Sequence, residues 1–236
     1  MVNERLCIIV AVHKQHAELE RMLEWIESID FISRKICFYF CDSGHNEKLL
    51  SINCQNKSNL DFVSQADSGI YDAWNYAINA VECKYVAFLG VTDRVDSCFE
   101  FSIKNDSDLV AYDFLRKYDS SLSRVTVPKQ LFRKFPYSLK FCFSSAIFRR
   151  EFLKANPFKA DFKIIGDLAW AWENRELLKA SVVNELFCVF DMGGVSNETK
   201  MHLNRLKEYK KVSPHFRWTP HYLAYSILST FRMLIR

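Results

Sequence analysis

The residues with chemistry to offer are concentrated in positions 64–93, SQADSGIYDAWNYAINAVECKYVAFLGVTD. A polar turn, Ser64-Gln65-Ala66-Asp67-Ser68-Gly69, runs into an amphipathic helical stretch with Tyr71, Trp74, Ile78 and Val81 on one face. Asp67 or Ser68 can cap its first turn, and Gly69 eases the backbone there. The apolar run Tyr85 to Leu89 reads as a buried strand, and it ends in Gly90-Val91-Thr92-Asp93. A helix thus feeds a strand whose carboxyl end delivers an acid. In open α/β sheets ligands bind outside the carboxyl ends of the strands, so a divalent cation and a nucleotide diphosphate would meet at this point.

The runs D-x-G-I-Y-D-A-x-N from Asp67 and Y-V-A-F-L-G-x-x-D from Tyr85 closely resemble the family-2 glycosyltransferases of bacterial polysaccharide assembly. The resemblance covers about residues 5 to 196, through five separated motifs in a shared order. It implies an α/β GT-A fold: a Rossmann-like, mostly parallel sheet flanked by helices, with a small antiparallel sheet on the acceptor side and a C-terminal helical tail. The glycosyltransferase domain would span 1–199, with a nucleotide-binding half of about 1–95 and an acceptor-binding half of about 96–199, followed by a basic extension at 200–236.

The matching positions then take roles by resemblance. Arg5 to Val12 is the first strand, and Val10-Ala11-Val12-His13-Lys14 occupies the floor of the nucleotide pocket, with His13 in place of the Tyr that stacks on the base. A plain strand end with a solvent-facing His is the simpler reading. Glu18 to Ile29 forms a helix with an apolar stripe of Leu19, Met22, Leu23, Ile26 and Ile29. The strand Ile36 to Cys41 leads to Asp42-Ser43-Gly44, where the family's Asp accepts a hydrogen bond from the nucleotide base. A carboxylate suits the imide of uracil or the N1–H edge of guanine. Leu60 to Val63 is the third strand, and Asp67 matches an acid close to the sugar nucleotide. Relatives carry D-K-G where this chain has Asp67-Ser68-Gly69, so a phosphate-facing Lys is missing.

Two further departures fall at the site. Relatives end the fourth strand with two acids; here the first is Thr92, beside the nucleotide sugar, and Asp93 keeps the position that coordinates Mg²⁺ or Mn²⁺. One or two carboxylates with substrate phosphates and water can hold such ions; capping of the following turn is the alternative role for Asp93. Relatives carry H-Q where this chain has Phe143-Ser144. Strands are expected over Asp108 to Phe114 and Ser121 to Val127. Asp161 to Trp172, DFKIIGDLAWAW, matches F-K-I-A-x-D, which makes Asp167 the general base at the start of a helix running to Leu178. A carboxylate there also suits helix capping. Trp170 and Trp172 serve either as a wall for an acceptor sugar or as core. Val182 to Phe190 is a late strand, and Gly193-Gly194-Val195-Ser196 matches a loop that closes over the site.

Composition bounds the rest. With 236 residues, 49% hydrophobic and 25% charged, the chain suits one large α/β domain, and its 20 Phe imply an aromatic core or ring-lined grooves. No run reaches the roughly 18 apolar residues of a membrane-spanning helix, and the N-terminus does not read as a signal peptide. A cytoplasmic protein is expected, peripheral on the inner face of the plasma membrane if the tail binds lipid. Eight cysteines without a C-x-x-C pair suggest reduced, buried thiols. Residues 200–236 hold eight Lys and Arg against one acid, Glu208, and 221–236 is amphipathic, which suits an anionic membrane surface. Docking on the body, or a homodimer, is the alternative.

The expected activity is inverting transfer from a UDP- or GDP-sugar to a lipid-linked oligosaccharide, with Mg²⁺ or Mn²⁺ as cofactor and no nucleic-acid partner. A catalytically silent relative of the same fold that binds nucleotide sugar or a partner enzyme is the second reading. A dinucleotide oxidoreductase is disfavoured, since no G-x-G-x-x-G follows the first strand.

Overall fold

A computed structural model describes residues 3–13, 15–43, 59–102, 106–132, 141–193 and 202–212. Strands β1 (Asn3–Val12), β2 (Ile36–Asp42), β3 (Leu60–Ser64) and β4 (Cys83–Leu89) form a parallel sheet in the order β3-β2-β1-β4. β1, β2 and β4 are almost continuously apolar, as strands covered on both faces must be. Helix α1 (His16–Glu27) buries Leu19, Met22, Leu23 and Ile26, most of the expected stripe. Helix α2 (Ile70–Ala80) buries Tyr71, Trp74 and Ile78 as its spacing predicts, with Val81 just beyond its end.

The start of α2 differs from the capping expected of Asp67 or Ser68. Gly69 is the N-cap, at φ 137°, a left-handed conformation that a side chain resists. Asp67 Oδ1 accepts the Gly69 N–H instead, at 2.9 Å. Asp72, inside the first turn, reaches back to accept from the Ser68 N–H and hydroxyl at 2.9 and 3.0 Å. Asp72 thus reaches past the N-cap to the residue before it, one position beyond the partner that a capping box uses.

The sheet continues past β4 through β8 (Ala146–Arg149) and β6 (Leu109–Tyr118), both antiparallel steps. β7 (Ser121–Val125) forms a hairpin with the outer half of β6, and β9 (Ala180–Asp191) runs parallel along its other edge. β5 (Arg94–Val95) begins just after β4, yet it pairs with β9 at the far end of the strand order. The sheet therefore curls until the carboxyl ends of β4 and β9 meet. Helices α3 (Arg150–Ala155), α4 (Gly166–Asn174) and α5 (His202–Val212) complete the described elements. The helix expected to reach Leu178 ends at Asn174. The helix expected over 221–236 lies outside the described residues.

The Phe-rich composition becomes an aromatic core. Rings of Trp74, Phe88, Phe143, Phe148, Phe158 and Trp170 meet with centroids 4.3 to 6.0 Å apart. Trp170 is buried here and donates its indole N–H to the Asn156 carbonyl at 2.6 Å, so it offers no wall to an acceptor. Asn75 fastens α2 to this core: its amide donates to the Phe158 carbonyl at 2.7 Å and accepts the Phe158 N–H at 2.9 Å. Asn75→Ala leaves both backbone groups unpaired, and urea unfolding should show a loss of about 2 kcal/mol; an unchanged midpoint would mean that water replaces the amide at no cost.

Candidate active site

The carboxyl edge of the parallel strands gathers the first group of candidate residues. Val12 pairs with Asp42 and Asp42 with Ser64, so the ends of β1, β2 and β3 lie side by side. His13 follows β1, exposed, with Nδ1 2.7 Å from the Ser43 hydroxyl. Ala11, half-buried, lies opposite Cys41. Asp42 is 2% exposed, and its Oδ2 accepts from the Ser64 hydroxyl at 3.3 Å. Asp42 and Asp67 line one hollow with Gln65 and Tyr76, over a floor of Cys41 and Ala73. Partial burial pushes the Asp67 carboxyl above its ordinary range, against the opposing pull of the Gly69 N–H.

Asp93 holds the other end of the edge together. It is 2% exposed, and three donors surround it: the Gly90 N–H and the Ser144 hydroxyl on Oδ2, and the Asp191 N–H on Oδ1, each at 2.9 Å. The acid thus joins the turn after β4, the single 3₁₀ turn Phe143–Ser145 and the last residue of β9. Ser144, in the place where the resembled motif has a polar pair, is one of its partners. Burial lifts the Asp93 carboxyl to about 6, although all three hydrogen bonds favour its ionised form; the Asp191 charge adds to the rise. Thr92 beside it is half-buried.

The donor set suits a hard cation. A carboxylate has about four acceptor positions, so Asp93 keeps one beyond its three hydrogen bonds. Asp191 brings a second carboxylate, which accepts the Gly193 N–H at 2.8 Å and lies 3.6 Å from the Lys117 ammonium. Sequence reasoning passed over Asp191, because nothing local marks the end of β9 as a neighbour of β4. Residues 194–200, with most of the expected closing loop, lie outside the described residues. The sulfurs of Cys7, Cys37 and Cys83 lie within 4.8 Å of one another on β1, β2 and β4. They are soft ligands, unsuited to Mg²⁺ or Mn²⁺.

Asp167 lies in the first turn of α4, one residue past Gly166. Its Oδ1 accepts from the Tyr71 hydroxyl at 3.2 Å and from the Leu168 N–H at 2.8 Å. Burial raises its proton affinity. Gly166 is required: a Cβ there would stand 2.6 Å from the Tyr71 ring. The N-cap is Ile165, so Asp167 is not the cap. Glu208 of α5 serves the preceding amides instead, accepting from Lys163 N at 2.7 Å and from Ile164 N and Ile165 N at 3.0 Å. The Lys163 ammonium binds the Ser68 carbonyl, tying the Asp67 turn to the Asp167 segment. The structure therefore links Asp167 to the Asp67 side through Tyr71 and Lys163, and links Asp93 to β9.

Comparison with known proteins adds the fold's relatives. No protein-family model and no curated protein matches the chain by sequence. Solved structures do match. Staphylococcus aureus TarS, as its 1–349 fragment, superposes with a TM-score of 0.63 at 15% identity, over 87% of this chain and 65% of that one. The fold is that of GT-A glycosyltransferases. The same fragment is known in complex with UDP and with UDP-GlcNAc. The mannosyltransferase PcManGT from Pyrobaculum calidifontis, in complex with GDP-Man and Mn²⁺, superposes at 0.59 with 14% identity, over 93% of this chain and 68% of that one. The chain thus spans less than two thirds of the TarS fragment. Among its described residues no helix is long and apolar enough to cross a membrane.

The Asp93 carboxyl gives a signed pH dependence. Its folded value of about 6 lies above the unfolded one, so between roughly pH 4 and 6 the folded chain holds a proton that the unfolded chain has released. This group's contribution is undiminished below that window and is lost as pH rises through it. The stability difference between wild type and Asp93→Asn should therefore shift by about 2 kcal/mol against the wild type from pH 4 to 7. A flat difference in urea titrations would show that Asp93 ionises normally.

Proposed function

We propose that the chain is an inverting, metal-dependent glycosyltransferase of the family-2 type, moving a hexosyl group from a UDP- or GDP-sugar to an acceptor hydroxyl. The observation that carries this is the placing of Asp42, Asp67, Asp93 and Asp167, from separate elements, around the carboxyl edge of a GT-A sheet. Solved relatives of the fold carry UDP, UDP-GlcNAc or GDP-Man, which supports a nucleotide-sugar donor. The motif resemblance supports the finer reading: extension of a lipid-linked oligosaccharide in bacterial surface-polysaccharide synthesis, at the cytoplasmic face of the membrane.

In this reading the Asp42 carboxylate, at the rim of the hollow, accepts the base N–H, and His13 and Ala11 floor the nucleotide pocket. Asp67 lies beside the sugar diphosphate. Asp167 takes the acceptor proton as the hydroxyl oxygen bonds to the anomeric carbon; the bond to the diphosphate breaks, and the nucleotide leaves with that electron pair. Burial makes Asp167 a better base than a solvated carboxylate, and Tyr71 holds its orientation. One base without a protein nucleophile gives a single displacement, hence inversion. Asp93, Asp191 and the diphosphate oxygens would hold Mg²⁺ or Mn²⁺, with Thr92 alongside, and that ion would neutralise charge on the leaving group.

A silent nucleotide-sugar binder is the second reading, favoured by the three internal bonds that already occupy Asp93. Thermal melts against UDP- and GDP-sugars, with Mn²⁺, Mg²⁺ or EDTA, test binding by mass action. The enzyme reading expects a metal-dependent rise with one nucleotide class and turnover that Asp167→Asn lowers by about 100-fold or more, with the rise retained. A rise with no turnover in the wild type would establish the silent binder; no rise with any donor would count against both.

A further inference from the structure

Residues 161–167 carry the candidate base, and the amides just before its helix take their acceptor from outside the segment. The N–H groups at the start of a helix and in the turn before it lack acceptors within the helix. An N-cap side chain would normally supply one, but Ile165 has no acceptor to offer. Glu208 supplies acceptors to the three amides that lead into the helix, from 43 to 45 residues further along the chain. Its two oxygens accept three successive amides at 2.7, 3.0 and 3.0 Å, and it is 6% exposed. A charged acceptor forms stronger bonds of this kind than a neutral one.

The rest of α5 follows the same segment in reverse order. Arg205, one turn before Glu208, acts on Asp167 through its charge. Lys211, one turn after, lies 3.5 Å from Asp161 and over the Phe162 ring at 5.7 Å. Tyr209 and Val212 pack against the core. Positions 208 and 211 thus meet residues 163–165 and 161 along one helix stripe, with the charge of Arg205 towards Asp167. The segment is also tied to the Asp67 turn by the Lys163 ammonium.

We infer that Glu208 is a positioning residue for Asp167, acting through the backbone of residues 163–165, and that α5 belongs to the working site. This rests on the reading of Asp167 as the base. Only Gly166 separates the clamped amides from the base, so the backbone at 163–165 places the start of α4 and the Asp167 main chain, while Tyr71 and the Leu168 N–H hold the carboxylate itself. The one acid in the basic extension therefore has a task apart from any membrane contact of the residues beyond it.

Steady-state kinetics of wild type, Glu208→Gln and Glu208→Ala, with amide hydrogen exchange on the same proteins, tests this. Loss of aim by a fraction of an ångström to 1 Å costs up to about 100-fold in rate. Glu208→Ala should lose kcat on that scale, with donor KM within about twofold of wild type. Glu208→Gln, isosteric and keeping one carbonyl acceptor, should fall between. Amides 163–165 should exchange faster in both variants, with those of β4 unchanged. An unchanged kcat in both variants would overturn the role of Glu208 alone. So would kcat and donor affinity falling together with faster exchange throughout, which marks general loosening. A wild type without turnover would overturn the base reading and this role with it, whatever the exchange shows.

Discussion

A carboxylate that leaves water must find donors or a cation, and Asp93 finds three donors from three parts of the chain. Removing any one of them would leave a buried charge short of a partner. The turn after β4, the 3₁₀ turn before β8 and the end of β9 are therefore held to one another by a single side chain. The short pairing of β5 with β9 continues from that point. With that pairing and the Cys188 thiol on the Ser144 carbonyl, Asp93 closes the curl of the sheet and sets two acids beside each other.

The parallel half of the sheet was legible because its cause is local. Strands covered on both faces read as unbroken apolar runs, and α1 and α2 show their buried stripes at helical spacing. The strand ends carrying His13, Asp42 and Asp93 could be placed within a residue or two. The contacts that complete the site could not. Asp191 lies 98 positions from Asp93, and Tyr71 lies 96 from Asp167. Helix α5 has a polar composition with little periodic signal, and its docking depends on amides exposed by a turn far upstream. Trp170 could be read as core or wall because an indole serves both; the aromatic cluster around it decides for core.

Substitutions at motif positions take on meaning only with these long-range partners in view. Ser144 stands where the resembled motif has part of a polar pair, and its hydroxyl serves Asp93. Ser68 stands where the resembled motif has a Lys, and its carbonyl is met by the ammonium of Lys163. Thr92 removes one acid from the end of β4, and Asp191 brings another close by from β9. In each case the polar group is supplied across the fold rather than along the chain.

The same closure imposes an order in time. A chain emerging from synthesis can form β1, α1, β2, β3, α2 and β4 early, since each parallel neighbour is already present. It cannot complete the surroundings of Asp93 until residue 191 has appeared, nearly a hundred positions later. Until then the acid sits in water, and β5 has no strand to join. Pairings so distant in sequence are slow to form. The carboxyl edge of the sheet is thus among the first parts of the molecule to be made and among the last to be finished, and a nascent chain stalled before β9 would carry its acids without the partners that enclose Asp93.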